Sequence, residues 1–265
     1  MKYRNLIFLH IPKAAGTTLH SILEQHYAPA NQCSIYDPEQ AARVLPQWPR
    51  ERREAIRLLK GHLAFGLHQH LIGTSAYITL VRDPVDRIIS HYYYVKRMPE
   101  HYLHRTVIER NMSLRDYAMA KLSDELDNGQ LRLLAGIDND RAVPIGACDR
   151  RLLDLTQGHI EQHFALAGLT ERFDESLALM AIELGWDWTP AYQNLNVTQD
   201  RPRQGQIDPA ARAAIEQANP FDCELYAWVK NRFERLLSQH RAEILDRVAR
   251  IHEANRPQGL VRLGV

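Results

Sequence analysis

The chain has 265 residues, 45% of them hydrophobic and 25% charged, the composition of a globular protein long enough for one large α/β domain or two small ones with a real core. Its 33 basic and 32 acidic residues nearly cancel, so nothing favours broad binding to nucleic acid or a membrane surface, and any basic site must be local. Cys33, Cys148 and Cys223 are odd in number, far apart and without a CxxC pair, which argues against a disulfide framework or a structural zinc site. The apolar run near the N-terminus is too short for a signal peptide or membrane span, so a cytoplasmic protein is expected.

Residues 4–10, "RNLIFLH", read as a short buried strand bounded by Pro12. "TTLHSILEQHY" then sets Leu19, Ile22 and Leu23 at helical spacing behind a threonine able to cap the helix. The chain thus opens as strand, tight loop, helix. A proline-containing mixed stretch covers 28–49, and "RREAIRLLK" (52–60) reads as a short helix. "AYITLVR" (76–82) is the strongest strand. Asp83-Pro84 breaks it, and 85–95 continues as a helix with Pro84 tolerated in its first turn. Residues 98–158 are helical and polar and read as an insertion or cap within one domain spanning 1–265. "FALAGLT" (164–170) leads into the periodic helix of "ERFDESLALMAIELGW", and the chain is helical from 208 onward. Three strand-to-helix units argue for an α/β fold, a parallel sheet flanked by helices.

Such sheets bind ligands at the C-terminal ends of their strands, where the loop 11–18, "IPKAAGTT", falls. Gly16 lets the backbone approach a ligand, the amides that follow lie at the positive end of a helix dipole, and Thr17 and Thr18 add hydroxyls. This is a phosphate cradle, yet not a GxxxxGK[ST] loop, because Lys13 precedes the glycine. The second strand end, "YITLVRDPVDRIISHYYYV", puts Arg82 at the strand tip and Ser90 about two turns into the next helix. An arginine fork and a hydroxyl there would hold a second phosphate. Two anion sites at adjacent strand tips suit a nucleotide phosphorylated at both ends of its ribose.

"HIPKAAGTTL" together with "VRDPVDRIISHYYYV" resembles the 5′- and 3′-phosphate motifs of PAPS-dependent sulfotransferases, on the carbohydrate branch that includes heparan sulfate 2-O-sulfotransferase. "KGHLAFGL" and "GLTERFDESLALMAIELGW" extend the resemblance, and "NLNVTQD" does so more weakly. It implies a P-loop-like α/β sheet with a helical C-terminus, and transfer of a sulfuryl group from PAPS to an acceptor hydroxyl, releasing PAP without a metal. Lys13 would meet the phosphosulfate and stabilise charge on the departing oxygen. Ala14, Ala15, Gly16, Thr17 and Thr18 would form the 5′-phosphate loop, and Arg82 and Ser90 the 3′-phosphate grip. The histidine of the "GHxxF"-like segment, His62, would be the general base. Arg201 and Arg203 would belong to a late basic loop over the donor's adenosine end. Golgi members of that branch carry a membrane anchor that this chain lacks, so the acceptor is expected to be a saccharide, a glycolipid precursor or another small hydroxyl metabolite. A homo-oligomer is compatible with everything above.

The other histidines read more plainly. His10 is expected to be a hydrogen-bonded strand-end residue, and His68 and His70 belong to a solvated helix or loop rather than to a metal site, lacking a third ligand at suitable spacing. His91 is open to packing or acceptor contact. One of Tyr92, Tyr93 and Tyr94 is a candidate for lining a sugar site. Arg97, His101, His104, Arg105 and Arg110 are candidates for a local basic edge that would meet an acidic saccharide, against which stands the usual solvated charge run. The alternatives are a small-molecule kinase, disfavoured by the lysine order and the want of a magnesium carboxylate, and a non-catalytic nucleotide-binding protein, disfavoured because a pure binder needs no base.

Overall fold

A computed structural model describes residues 3–139, 141–189, 192 and 207–256. Five parallel strands, β1 (Asn5–Leu9), β2 (Gln32–Ser34), β3 (Leu58–Gly61), β4 (Ser75–Val81) and β5 (Phe164–Leu169), lie in the order β2-β3-β1-β4-β5. Every residue of β1 and β3 is buried, as in a strand covered on both faces, which is why Leu6 to Leu9 form an apolar run rather than an alternating one. Register sets Phe8 beside Lys60 on one side and Ile78 on the other.

The helices are α1 (Gly16–Glu24), α2 (Pro38–Val44), α3 (Arg50–Ala55), α4 (Pro84–Arg97), α5 (His104–Glu109), α6 (Leu114–Ala120), α7 (Gly129–Ala135), α8 (Arg150–His163), α9 (Phe173–Leu184), α10 (Pro209–Ala218), α11 (Pro220–Gln239) and α12 (Arg241–Ala254). Two readings are corrected: no threonine caps the first helix, because α1 already starts at Gly16 with Ala15 at the cap position and places Thr17 and Thr18 inside its first turn, and one segment changes type. "RREAIRLLK" is not one helix: α3 stops at Ala55, Ile56 is extended, and Leu58 to Gly61 form β3. Leu58 and Leu59 are fully buried beside β1, and a short apolar run buried on both faces carries no period that separates strand from helix. The consequence is functional, because His62 is thereby the first residue past a strand.

The stretch 98–158 divides between two cores. Leu103, Val107 and Tyr117 of its first part join Ile88, Ile89 and Val95 of α4 and Ile215 of α10 in a satellite core. Leu131, Leu134, Leu153 and Ile160 of α7 and α8 join the core that covers the sheet.

The two cores meet at a buried polar junction. Asp222 of α11 accepts from the backbone amides of Gln130 (3.3 Å) and Leu131 (2.8 Å) at the start of α7, and pairs at 3.5 Å with Arg87 of α4. Both side chains are inaccessible, and burial raises the Asp222 carboxyl above its ordinary value, with Arg87 opposing. Beside them Asn128 accepts from the amides of Phe221 and Asp222, while Asn219 accepts from the amide of Asn128. Replacing Asp222 with Ala should cost about 3–5 kcal/mol, because it strands a buried guanidinium and two helix-start amides at once. The urea unfolding midpoint measures this, and a midpoint unchanged from the parent would refute it.

Candidate active site

Four of the five strands end on a residue that faces one cleft of about 1180 Å³. In spatial order across β3, β1, β4 and β5, the first residues past the strands are His62, His10, Arg82 and Thr170. A parallel sheet presents its strand ends on one edge, so residues scattered from 10 to 170 become a row.

The loop after β1 is held in an uncommon conformation. Lys13 (φ 68°) and Ala15 (φ 57°) both occupy the left-handed region, which costs a residue bearing a Cβ and persists only where the surroundings enforce it. α1 starts at Gly16 with no side-chain cap and no acidic residue in its first turn. Its first amides therefore point, without a capping side chain, into a cleft also lined by Lys13, Gly16 and Thr17, the arrangement that receives a phosphate. Gly16 is needed for a second reason. A Cβ on it would lie 1.9 Å from Cδ2 and Nε2 of His10, so only glycine lets that ring lie against the helix start.

Arg82 ties the second motif to the first. Its Nη1 donates to the carbonyl oxygen of Lys13 at 2.9 Å. Its own backbone is clamped by Gln130 of α7, whose side chain accepts from the Arg82 amide and donates to its carbonyl, both at 2.9 Å. Ser90 lines the same cleft, and Tyr94, one turn further along α4, carries the Lys13 ammonium 3.8 Å above its ring centre. Tyr94 is thus the cleft-lining member of the tyrosine triplet, whereas Tyr92 is buried and donates to the Met112 carbonyl.

Three histidines cluster edge-on. His10 Nδ1 lies 3.1 Å from His20 Nε2, and its ring centre is 4.8 Å from that of His62. Burial lowers all three pKa values. His10 falls well below the ordinary value, with His62, His20 and Lys13 adding repulsion, and His20 falls to about 4, with Lys60 contributing. His62 is lowered by burial and partly restored by Glu125. Behind them the buried Lys60 is neutralised by Glu24 (2.5 Å) and donates to Ser34 Oγ (2.7 Å). Each histidine is thus held neutral at physiological pH, and neutral imidazole is the form that accepts a proton.

On the other side of His62, Glu125 is bonded to His91 Nε2 at 2.6 Å, and His91 Nδ1 lies 2.6 Å from the Tyr117 hydroxyl. Burial opposes ionisation of Glu125, but the His91 bond and charge, with Arg87 and His62, hold its carboxyl down to about 2. His91, His101 and Glu125 bring ligand-type atoms within 4.8 Å of one another, a grouping the sequence did not suggest. Hydrogen bonds engage these groups, including one from the Leu103 amide to His101 Nδ1.

Of the residues singled out from sequence, Lys13, Ala15, Gly16, Thr17, His62, Arg82 and Ser90 share this one cleft. Ala14 and Thr18 do not line it, and both are buried. Arg201 and Arg203 lie outside the described residues. Arg97 and His101 reach the cleft, while His104 bonds the Val95 carbonyl and Arg105 pairs with Glu109 at the surface. His68 lies beside Tyr77, 3.1 Å from its hydroxyl, and His70 accepts from Arg53 through its carbonyl, neither of them at the cleft. Sequence reading missed His20, Tyr36, Glu125 and Thr170. His20 and Glu24 were within reach, since they recur at helical spacing from Gly16 along the face of α1 that lines the cleft.

A parallel sheet bearing an uncapped helix start after one strand and an arginine fork after its neighbour defines a P-loop-like α/β protein. The chain belongs to the galactose-3-O-sulfotransferase family, whose sequence model matches residues 2–263. It is 26% identical over 270 residues to galactose-3-O-sulfotransferase 3 of Homo sapiens, and to the same degree to those of Mus musculus and Bos taurus, covering 94% of this chain and 61% of each relative. The chain thus spans about three fifths of the length of these relatives. The match supports the carbohydrate sulfotransferases at large and gives no support to the heparan sulfate 2-O-type branch that the two motifs resemble. Among the described residues no helix is long and apolar enough to cross a membrane.

The Gly16→Ala variant should melt at a lower temperature and, with the nucleotide bisphosphate PAP as probe, bind it at least about tenfold more weakly, because His10 or the loop must move. Calorimetric titration with PAP decides this, and unaltered affinity would show that the close approach is dispensable.

Proposed function

We propose that this protein transfers a sulfuryl group from PAPS to a hydroxyl of a galactose-bearing saccharide. The observation that carries the reading is the convergence of two anion grips, Lys13 with Gly16 and Thr17, and Arg82 with Ser90, on a cleft that also holds His62. The donor has a phosphosulfate at its 5′ end and a phosphate at its 3′ end, and the two grips stand at neighbouring strand ends joined by the Arg82–Lys13 bond. Membership of a galactose-3-O-sulfotransferase family supports the acceptor class, with the 3-hydroxyl of galactose as the position modified.

In this reading the uncapped amides of α1 and the Thr17 hydroxyl hold the 5′-phosphate, and Arg82 and Ser90 hold the 3′-phosphate. His62 accepts the proton of the acceptor hydroxyl through a ring nitrogen as that oxygen attacks sulfur. The bond from sulfur to the bridging oxygen breaks, and its electron pair stays on that oxygen as PAP leaves. Lys13 exchanges its contact with Tyr94 for that oxygen and stabilises the charge developing there. Arg201 and Arg203 are assigned to the donor's adenosine end. A cytoplasmic location belongs to the same proposal and rests on the three free cysteines.

Replacing His62 with Ala should leave PAP affinity within about twofold and lower turnover by at least about a hundredfold, the worth of a positioned general base. Turnover at the parent level would remove His62 from the mechanism, and preference for ATP with magnesium over PAP in calorimetry would remove the sulfotransferase reading itself. The pH profile supplies a further check. Burial lowers the His62 pKa, so the neutral base persists below the ordinary histidine value of 6.5. The acid limb of kcat/KM should accordingly fall below pH 6.5, and a limb above that value would contradict the assignment.

A further inference from the structure

The cleft has a side chamber that the donor grips leave unused. A cavity of about 140 Å³ opens off it, and the two share a rim of four residues, Pro12, Tyr36, His62 and Glu125. Its volume is that of about five waters, the scale of a single sugar ring rather than of a nucleotide. The chamber's far wall carries Asp124 and Asp138 together with the buried guanidinium groups of Arg87 and Arg132. Those guanidinium groups are committed elsewhere: Arg87 to Asp222 and the Glu125 carbonyl, Arg132 to Asp127 and the carbonyls of Val143 and Pro144. Carboxylates at the wall and spoken-for arginines make a poor site for an anionic sugar and a good one for neutral hydroxyls.

We infer that this chamber seats one uncharged terminal ring of the acceptor, with Tyr36 as its stacking face and Glu125 as the acceptor of a hydrogen bond from the hydroxyl next to the one that is sulfated. This deepens the sulfotransferase reading and rests on it. Tyr36 is a large aromatic side chain left 55% exposed at the rim, set edge-on to His62 at 5.5 Å between ring centres. An exposed ring beside the base offers the apolar face of a pyranose a platform without hindering His62. Glu125 is fixed before any substrate arrives. His91 holds its Oε2, Tyr117 holds His91, and Oε1 accepts no hydrogen bond among the described residues. Because Glu125 and His62 stand on the same rim, a ring that offers one hydroxyl to His62 brings a neighbouring hydroxyl toward Glu125. Recognition of such a pair selects for a vicinal diol and against a ring carrying a carboxylate.

The test is a comparison of substrates across variants. Transfer from PAPS to methyl β-galactoside is measured beside transfer to its 2-deoxy and 4-deoxy analogues, in the parent enzyme and in Glu125→Ala. In the parent, one of the two deletions should lower kcat/KM by roughly 10–100-fold, the range for a hydrogen bond to a charged group. In Glu125→Ala the same deletion should cost no more than about threefold, because the partner is already gone. PAP affinity, measured by calorimetry, should match the parent's. Tyr36→Ala, at an exposed position that tolerates truncation, should raise the acceptor KM about tenfold at unchanged PAP affinity, and it carries the test if Glu125→Ala does not fold. Equal deoxy penalties in parent and Glu125→Ala, or an unchanged acceptor KM in Tyr36→Ala, would overturn the chamber assignment while leaving the sulfotransferase reading intact. A parent enzyme that binds PAP but sulfates no galactoside would overturn the acceptor reading, and this inference with it.

Discussion

The site depends on one hydrogen bond, from the Arg82 guanidinium to the carbonyl oxygen of Lys13. It joins the two strand-end loops that the sequence keeps far apart, and it favours the left-handed conformation of Lys13 by giving that carbonyl a charged partner. The same bond sets the distance between the Lys13 loop and the end of β4. The arginine is in turn immobilised from behind, because Gln130 bonds both backbone groups of Arg82 and leaves the side chain little freedom of approach. A ligand phosphate meeting this fork meets a group whose ordering entropy was lost on folding, which is how preorganisation converts into affinity.

Electrostatic crowding explains the state of the histidines. Lys13, Lys60 and three imidazoles lie around one strand end, and protonating the rings would pile positive charge into a buried space. Burial and mutual repulsion resolve this by keeping His10 and His20 neutral, while Glu24 neutralises Lys60. His62 is also lowered by burial, with Glu125 partly offsetting its desolvation. The carboxylate beside His62 comes from a helical segment with no sequence proximity to it, whereas the one beside His20, Glu24, lies one turn along the same helix.

Much of this was legible in the chain. The order of lysine before glycine in "HIPKAAGTT", and the arginine closing "AYITLVR", marked the two loops that the fold brings to one cleft, because a helix start and an arginine at a strand tip are written in contiguous residues. The alternation of strand and helix gave the parallel sheet. What stayed hidden needed contacts between distant segments. β3 reads as the end of a helix because Leu58, Leu59 and Lys60 carry no period, and Lys60 reads as a surface residue until Glu24 and Ser34 close around it. Glu125 sits in an acidic stretch, Asp124 to Asp127, that composition alone marks as solvated; only the fold brings His91 and His62 to it. Ala14 and Thr18 belong to the loop motif by position, yet the turn directs them into the protein.

The polar junction at Asp222 changes what the C-terminal helices are. α11 supplies the carboxylate that caps α7, α7 supplies Gln130, and Gln130 holds the arginine of the anion grip. Two hydrogen-bonded links thus connect a residue late in the chain to the C-terminal edge of the sheet. A protein cut back before Pro220 would retain every residue of both loop motifs and every strand, and still lack the brace that aims Arg82. A minimal domain cannot be drawn around the motifs, because the contacts that hold Arg82 in place run through α7 and α11.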